Sequence, residues 1–251
     1  PTTFYINVAI DIAHGHSEIG LEAIRFLRNN LPCVNHIMSG SIATSAAAMD
    51  SIQAGATHLR VGIGPGSMCT TRIMTGIGIP NISAVYRIKQ TVNSQAYVIA
   101  DGGIKSPGDA VKYLAAGADG IMMGHEFSKT FEAPGWEIKE PDYRTQMLVC
   151  GPMAEQMPKA YIKTYRGQAS AEFQKDQTGQ ASWCPEGASS EEISWEGDTV
   201  ESVIMKYRGG ISSALSYLGL KSMHELHPNN VEFIEISPAA RIESLDHANL
   251  K

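Results

Sequence analysis

The fold is decided by the stretch HLRVGIGPGSMCTTR, residues 58–72. Its first four residues are typical of a short buried strand. Three glycines and a proline then follow within residues 62–66, and they prevent the strand from continuing. A turn of this composition presents backbone N–H groups and little side chain, which suits an anionic ligand, and Ser67 adds a hydroxyl donor. The stretch therefore predicts a strand that ends in an anion-binding loop.

The same loop carries Cys69, followed by Thr70, Thr71 and Arg72. Cationic and polar neighbours favour the thiolate, which is the form that attacks carbon. The alternative for a single cysteine is a small buried apolar side chain. Because Cys69 lies in a glycine-rich loop and not inside an apolar run, we predict that it is a nucleophile.

Strand-loop-helix units continue on both sides of this loop, and they predict a parallel sheet covered by helices. Polar residues and glycines follow the strands at their carboxyl ends, where a (β/α)8 barrel carries its active site. Glycine loops after three successive strands favour a barrel over a doubly wound sheet. The predicted strands are 4–10, 35–39, 58–61, 97–100 and 120–124, and the predicted helices are 18–29, 45–54, 81–91, 107–116 and 199–218.

Five strands are fewer than the eight of a complete barrel. Either the first three strands are absent from this chain, or the pattern leaves strands undetected; we predict one catalytic barrel domain over residues 1–251 that lacks the first strands. The alternation stops between about 132 and 198, where Gly, Pro, Ser, Gln and Glu accumulate, and this stretch predicts an excursion that carries a mobile flap. The sequence from Val231 onward predicts one more strand.

Composition excludes several classes of function. A net charge of −6 gives no general attraction to nucleic acid or to an anionic membrane, so we predict neither partner. The four cysteines lie far apart without a CxxC pair, which argues against a zinc site or a disulfide framework and favours the cytoplasm. There is no apolar stretch of membrane-spanning length. His14 and His16, two residues apart without a third ligand, are weak evidence for a metal.

Several motifs closely resemble the inosine monophosphate dehydrogenase / guanosine monophosphate reductase family: IDIAHGHS, GIGPGSMCTTR, VIADGG, IMMG, YRGQAS and GGISSALSYLG. The resemblance implies a TIM barrel of which this chain holds strands four to eight. It also implies a purine nucleoside monophosphate as substrate, a covalent purine adduct on the loop cysteine and a homotetramer.

The resemblance also implies roles for individual residues. Cys69 becomes the nucleophile at purine C2, and Thr71 with Glu172 activates the departure of ammonia. The implied substrate-binding residues are Ser67, Asp101, Gly102, Gly103, Gly124, Tyr165, Gly167, Gln168 and Glu186. The implied cofactor side is Asp11, Ala13 and His14. A potassium ion is expected on the backbone carbonyls of Gly64, Gly66 and Cys69, completed by 243–244 of a neighbouring subunit.

The residues support part of this set without the resemblance. Asp101 ends a strand and precedes two glycines, a position from which a carboxylate can accept two vicinal hydroxyls; the alternative is an aspartate that caps the loop. Tyr165 also fits a packing role. Glu172 and Glu186 also fit a solvated surface.

Two branches of the family remain open. No arginine lies between Gly167 and Pro185, so the Arg-Tyr pair with which the dehydrogenase branch activates water is missing. ASAEFQKD is similar to the reductase pattern, with Ala171 inserted before Glu172, whereas PEG at 185–187 and ARIES at 240–244 resemble dehydrogenases. We predict an NADPH-dependent reductase, with an NAD-dependent dehydrogenase as the alternative. A catalytically silent nucleotide-binding protein and a flavin-dependent barrel oxidoreductase are further hypotheses.

Overall fold

The computed structural model describes residues 4–139, 160–180, 184–188, 190–238 and 240. The main sheet has five parallel strands in sequence order: β1 Ile6–Ala9, β2 Val34–Ile42, β3 His58–Val61, β4 Tyr97–Asp101 and β5 Gly120–Met122. The helices are α1 Glu18–Asn30, α2 Ser45–Ala54, α3 Thr71–Thr75, α4 Asn81–Val92, α5 Pro107–Ala115, α6 His125–Ser128, α7 Ala171–Thr178 and α8 Val200–Leu218. A second, antiparallel sheet contains β6 Glu137–Lys139, β7 Ala160–Tyr165 and β8 Glu191–Ser194.

The two faces of the main sheet differ in burial. Leu59 and Val98 are paired across β3 and β4 and are fully buried in the main core. Their neighbours Arg60 and Ile99, paired with each other, are less buried because alternate side chains of a strand point to opposite faces. The helix-covered face is thus the apolar core. The other face carries the polar residues that lead to the carboxyl ends of the strands.

The helices begin and end where local side-chain chemistry predicts. Ser17 caps α1 by accepting the Gly20 N–H, and Thr199 caps α8 by accepting the Ser202 N–H. Gly55 ends α2 with φ of 112°, a left-handed conformation that favours glycine. These contacts are local in sequence, and the predicted starts of the long helices are therefore confirmed to within a residue or two.

Helix α8 packs closely on α5. An added Cβ at Gly210 would overlap Pro107 at the start of α5, so the glycine that weakens the helix is required by this close approach. Helix α8 also carries Tyr207, which is only 4% exposed. Burial raises the pKa of Tyr207 to about 12, helped by the nearby charges of Glu126 and Asp109.

The hydroxyl of Tyr207 has no hydrogen-bond partner within the described residues. We expect Tyr207→Phe to leave the free energy of unfolding unchanged or raise it by up to about 1 kcal/mol, because it removes a buried hydroxyl that makes no hydrogen bond in return for losing its contact with water. Tyr113→Phe is the matched control: it removes the hydroxyl that donates to the Gly102 carbonyl at 3.2 Å and should lower stability by about 1 kcal/mol. Urea unfolding of both variants measures the difference. A loss of stability in Tyr207→Phe equal to that in Tyr113→Phe would contradict the expectation.

The excursion after α6 contains regular structure, which the sequence pattern did not predict. β6, β7 and β8 pair antiparallel, and rings of Phe131, Tyr161 and Trp195 pack with centroids 5.1 to 6.2 Å apart. The Trp195 indole N–H donates to the Asp198 carbonyl at 2.7 Å. The sequence pattern thus missed the sheet inside this excursion, and the flap that it predicts there stays a prediction; 140–159, 181–183 and 189 lie outside the described residues.

The strand predicted from Val231 onward is also wrong: residues 231–237 make no strand. Residues 241–251, including those expected to complete a potassium site, lie outside the described residues. No helix in the described part of the chain is long and apolar enough to cross a membrane.

Candidate active site

The loop after β3 is held tightly by its neighbours. Gly62 lies so close to the Asp101 carbonyl that an added Cβ would overlap it, and Gly64 has φ of +81°. Arg72 donates from Nε to the Ile63 carbonyl at 3.2 Å and from Nη2 to the Ile79 carbonyl at 2.7 Å. Arg72 therefore braces the loop backbone.

Cys69 lies near the end of this loop, two residues before α3, and is half-buried. Its thiol donates to the Thr71 hydroxyl at an Sγ–Oγ1 distance of 3.1 Å. Thr71 is the first residue of α3, so the short helix fixes the hydroxyl relative to the sulfur. The sulfur thus has a polar partner within the loop.

Two adjoining cavities meet at Cys69. One has a volume of about 530 Å³ and the other about 380 Å³, sizes typical of sites for small molecules. Both are lined by Gly66, Cys69, Gln168, Ala169 and Glu186. The larger one adds Asp11, Ala13, Arg60, Gly64, Thr71, Asp101 and Gly102, and the smaller one adds Ser67, Tyr165 and Gly167. A ligand that spans both cavities would pass over the sulfur.

Three charged side chains form a network in the larger cavity. Arg60 Nη2 lies 2.5 Å from Asp11 Oδ1, and Arg60 Nη1 lies 3.8 Å from Asp101 Oδ2. Burial raises the pKa of Asp101 above its ordinary value of 3.8; Arg60 opposes this shift and Asp11 adds to it. Arg60 Nε is buried without a hydrogen-bond partner in the described structure. The two carboxylates thus share one guanidinium.

The chain matches the family model of the IMP dehydrogenase / GMP reductase domain over residues 6–247. The chain belongs to this family. It is 38% identical over 245 residues to the inosine-5'-monophosphate dehydrogenase of Chlorobaculum parvum, covering 96% of this chain and 47% of that protein. It is 36% identical over 241 residues to the enzyme of that name from Borreliella burgdorferi, covering 96% of this chain and 57% of that protein.

A solved structure in the family shares the fold. It is a cysteine-to-alanine variant of GMP reductase from Trypanosoma brucei in complex with guanosine 5'-monophosphate, with a TM-score of 0.82 and 31% identity. The match covers 96% of this chain and 47% of that one. The chain thus spans about half the length of the relatives it matches. The predicted TIM-barrel fold is confirmed, and the five parallel strands form part of that barrel.

Most of the residues that the family resemblance implied lie around the two cavities, but four do not line them. Glu172 is exposed on α7, where Phe173 and Gln174 line the larger cavity instead. Ser170 caps α7, and the rotation of about 100° per residue turns Glu172 away. His14 is exposed, and its ring meets His16 edge-on at 6.2 Å. The remaining two are Gly103, which lies against Pro65, and Gly124, which lies near the Tyr165 hydroxyl.

Two supporting residues were missed at the level of sequence. Arg60 lies inside a predicted strand and was not recognised as a site residue. A charged residue between apolar ones nevertheless indicates a partner of opposite charge, which here is Asp11. Asn81, only 7% exposed, donates from Nδ2 to the Asp101 carbonyl at 3.1 Å and to the Val61 carbonyl at 3.4 Å. It therefore ties the ends of β3 and β4 together, and with them the two loops of the site.

The loop also offers backbone oxygens to a cation. The Gly66 carbonyl accepts the Cys69 N–H at 3.1 Å, which leaves its second lone pair available. Carbonyl oxygens are hard ligands, which fit an alkali or alkaline-earth ion better than a soft metal. No group of three His, Cys, Asp or Glu side chains within the described residues could hold a metal. Potassium on Gly64, Gly66 and Cys69 stays a prediction.

Proposed function

We propose that the protein is a GMP reductase: GMP + NADPH + 2 H⁺ gives IMP + NH₄⁺ + NADP⁺. The observation that carries the proposal is the Cys69 sulfur, 3.1 Å from the Thr71 hydroxyl, at the meeting point of two cavities. An apolar structural cysteine would need neither the polar partner nor the cleft. Membership of the family supports a purine nucleotide as the ligand.

The proposed chemistry uses the chain's own groups in sequence. The Cys69 thiolate forms a bond to purine C2, and the amino group of GMP leaves as ammonia with protons from the site, giving a thioimidate. NADPH supplies the hydride that C2 then receives. The C2–S bond breaks as the electron pair returns to sulfur, which releases IMP and restores the thiolate. Of the two residues implied for ammonia departure, Thr71 lines the larger cavity; its lining carboxylates within the described residues are Asp11, Asp101 and Glu186.

The fixed groups of the site support separate roles for its two sides. Ser67, Tyr165 and Gly167 border the smaller cavity, where we place the nucleotide phosphate and the base edge. Asp11, Ala13 and Arg60 border the larger one, where we place the nicotinamide; Asp101, on the border of the same cavity, would accept the ribose hydroxyls of GMP. Cys69 borders both, so it meets the purine where the two ligands approach each other.

Oxidation of IMP with NAD is the second candidate, because the curated relatives reported above carry the name inosine-5'-monophosphate dehydrogenase. Hydrolysis of the adduct would need a group that activates water, and no arginine lies between Gly167 and Pro185 to do so. This absence favours the reductase.

An absorbance assay at 340 nm separates the candidates. With GMP and NADPH in potassium buffer we expect a falling signal that depends on GMP, and no rise with IMP and NAD. A rise with IMP and NAD alone would overturn the reductase in favour of the dehydrogenase. No reaction with either pair, despite measurable nucleotide binding, would favour a silent binding protein.

We also propose that potassium and a homotetramer support this activity. Replacing potassium with lithium should lower turnover if the carbonyls of Gly64, Gly66 and Cys69 hold the ion. Turnover that is equal in both salts would argue against the site. Analytical ultracentrifugation with and without GMP tests the assembly.

A further inference from the structure

The segment 186–188 lies across the catalytic loop and pairs with it. Cys69 and Gly187 form an antiparallel β-bridge. On one side of the sulfur-bearing residue, the Ala188 N–H donates to the Met68 carbonyl at 2.7 Å; on the other, the Thr70 N–H donates to the Glu186 carbonyl at 2.7 Å. Cys69 is therefore held from both sides by one neighbouring segment.

The other edge of the same segment pairs with the turn before α7. The Gly187 N–H donates to the Ala169 carbonyl at 3.2 Å, and the Gly167 N–H donates to the Ala188 carbonyl at 3.3 Å. Three pieces of backbone thus lie side by side, with 186–188 in the middle. The turn also ends in Ser170, which is fully buried and caps α7.

Close approach of backbone segments requires a glycine at position 187 and leaves little room at position 167. An added Cβ at Gly187 would lie 2.7 Å from the Ser170 nitrogen and 2.9 Å from the Ala169 carbonyl carbon, which are backbone atoms that cannot rotate away. An added Cβ at Gly167 would meet the Gly187 Cα and the Met68 oxygen, each at 3.2 Å, a tight contact that a shift of a few tenths of an ångström relieves. Neither glycine has a positive φ, so the reason is space and not backbone conformation.

We propose that residues 186–188 are a positioning strap and that Gly187 is its positioning residue. Cys69 takes its place in the cleft only when the strap has docked between the catalytic loop and the turn 167–170. Because the same strap carries Glu186 into both cavities, docking places the nucleophile and this carboxylate together. The assignment of Cys69 as nucleophile rests on the proposed function; the docking itself does not.

Hydrogen exchange resolved by peptide mass spectrometry tests the coupling. In Gly187→Ala we expect amides in peptides covering 68–70 and 186–188 to exchange about tenfold faster or more, while peptides of β3 and β4 keep their protection. We also expect kcat to fall by about tenfold or more. Gly209→Ala is the matched control, because an added Cβ there meets nothing within 4 Å, and it should change neither peptide nor kcat.

The proposal of a strap would be overturned if exchange became faster only in the 186–188 peptide, or if it became faster in neither peptide. If Gly187→Ala exposes β3 and β4 as well, the milder Gly167→Ala decides by the same criterion. If the protein reduces no GMP but both peptides loosen together, the docking stands and the proposed reaction fails. If GMP is reduced but exchange in the 68–70 peptide does not change in Gly187→Ala, the reaction stands and the strap fails.

Discussion

Cys69→Ala is expected to lower kcat by at least about 10³-fold while nucleotide affinity changes by less than about threefold. The sulfur is the only atom of this side chain that can form a bond to purine C2. The surfaces that would bind the nucleotide are backbone and other side chains: Gly66, Gln168 and Glu186 border both cavities and are untouched by the change. Turnover and calorimetric GMP binding, measured on the same preparation, separate chemistry from binding.

Cys33→Ala is the matched control, because Cys33 is also a partly exposed free thiol but does not line either cavity. It should retain full turnover. Mass spectrometry of the wild type quenched during turnover should find a purine adduct on the peptide with Cys69 and none on that with Cys33. Turnover in Cys69→Ala within tenfold of the wild type would eliminate covalent catalysis by this thiol.

Features that depend on neighbours in sequence were predictable. The turn at residues 62–66, the start of the helix predicted from residue 18 and the end of the helix predicted to residue 54 lie where the sequence indicated, because φ preferences and the short hydrogen bonds at Ser17 and Gly55 decide them. The parallel sheet followed from alternation of strands and helices. Because the carboxyl ends of parallel strands lie at the same edge of a sheet, the sequence also predicted that Cys69 and Asp101 lie close together.

Features that depend on distant partners were not predictable. Arg60 meets Asp11 across 49 positions of the chain, and no local pattern specifies that pair. β8 reads EEIS, a charged sequence whose strand conformation comes from pairing with β7, as between Ile162 and Ser194. The side of α7 that faces the cleft was equally hard to predict, because consecutive residues of a helix point about 100° apart and only the packing of the helix decides that Phe173, and not Glu172, lines the cavity.

Asp101→Asn is expected to weaken GMP binding by about 10- to 100-fold. A carboxylate that accepts hydrogen bonds from two ribose hydroxyls contributes more than an amide does, by about 1.5 to 3 kcal/mol. Asp119→Asn is the matched control, since Asp119 pairs with Lys89 at 2.8 Å and does not line the cavities. GMP affinity by calorimetry should fall only in Asp101→Asn; equal affinities in the two variants would remove Asp101 from the ribose site.

Asp101→Asn should raise the stability of the folded protein at pH 7, although it lowers the affinity for GMP. Burial raises the pKa of Asp101 in the folded protein above 3.8, so the folded state holds this proton more tightly than the unfolded state does. Its contribution to stability is present below pH 3.8 and is lost as the pH rises through the raised value, which leaves a constant penalty at pH 7. Asp101→Asn removes that penalty and should raise Tm at pH 7. The increase in Tm should become smaller as the pH is lowered towards 3.8. Asp119→Asn should lower Tm instead, because it gives up the ion pair with Lys89 and removes the charge that strengthens the bond from the Val98 N–H at 2.8 Å. If Asp101→Asn lowered Tm at pH 7 as well, the attraction of Arg60 would outweigh desolvation, and the carboxylate would be a structural ion pair kept for stability, not one held at a cost for binding a ligand.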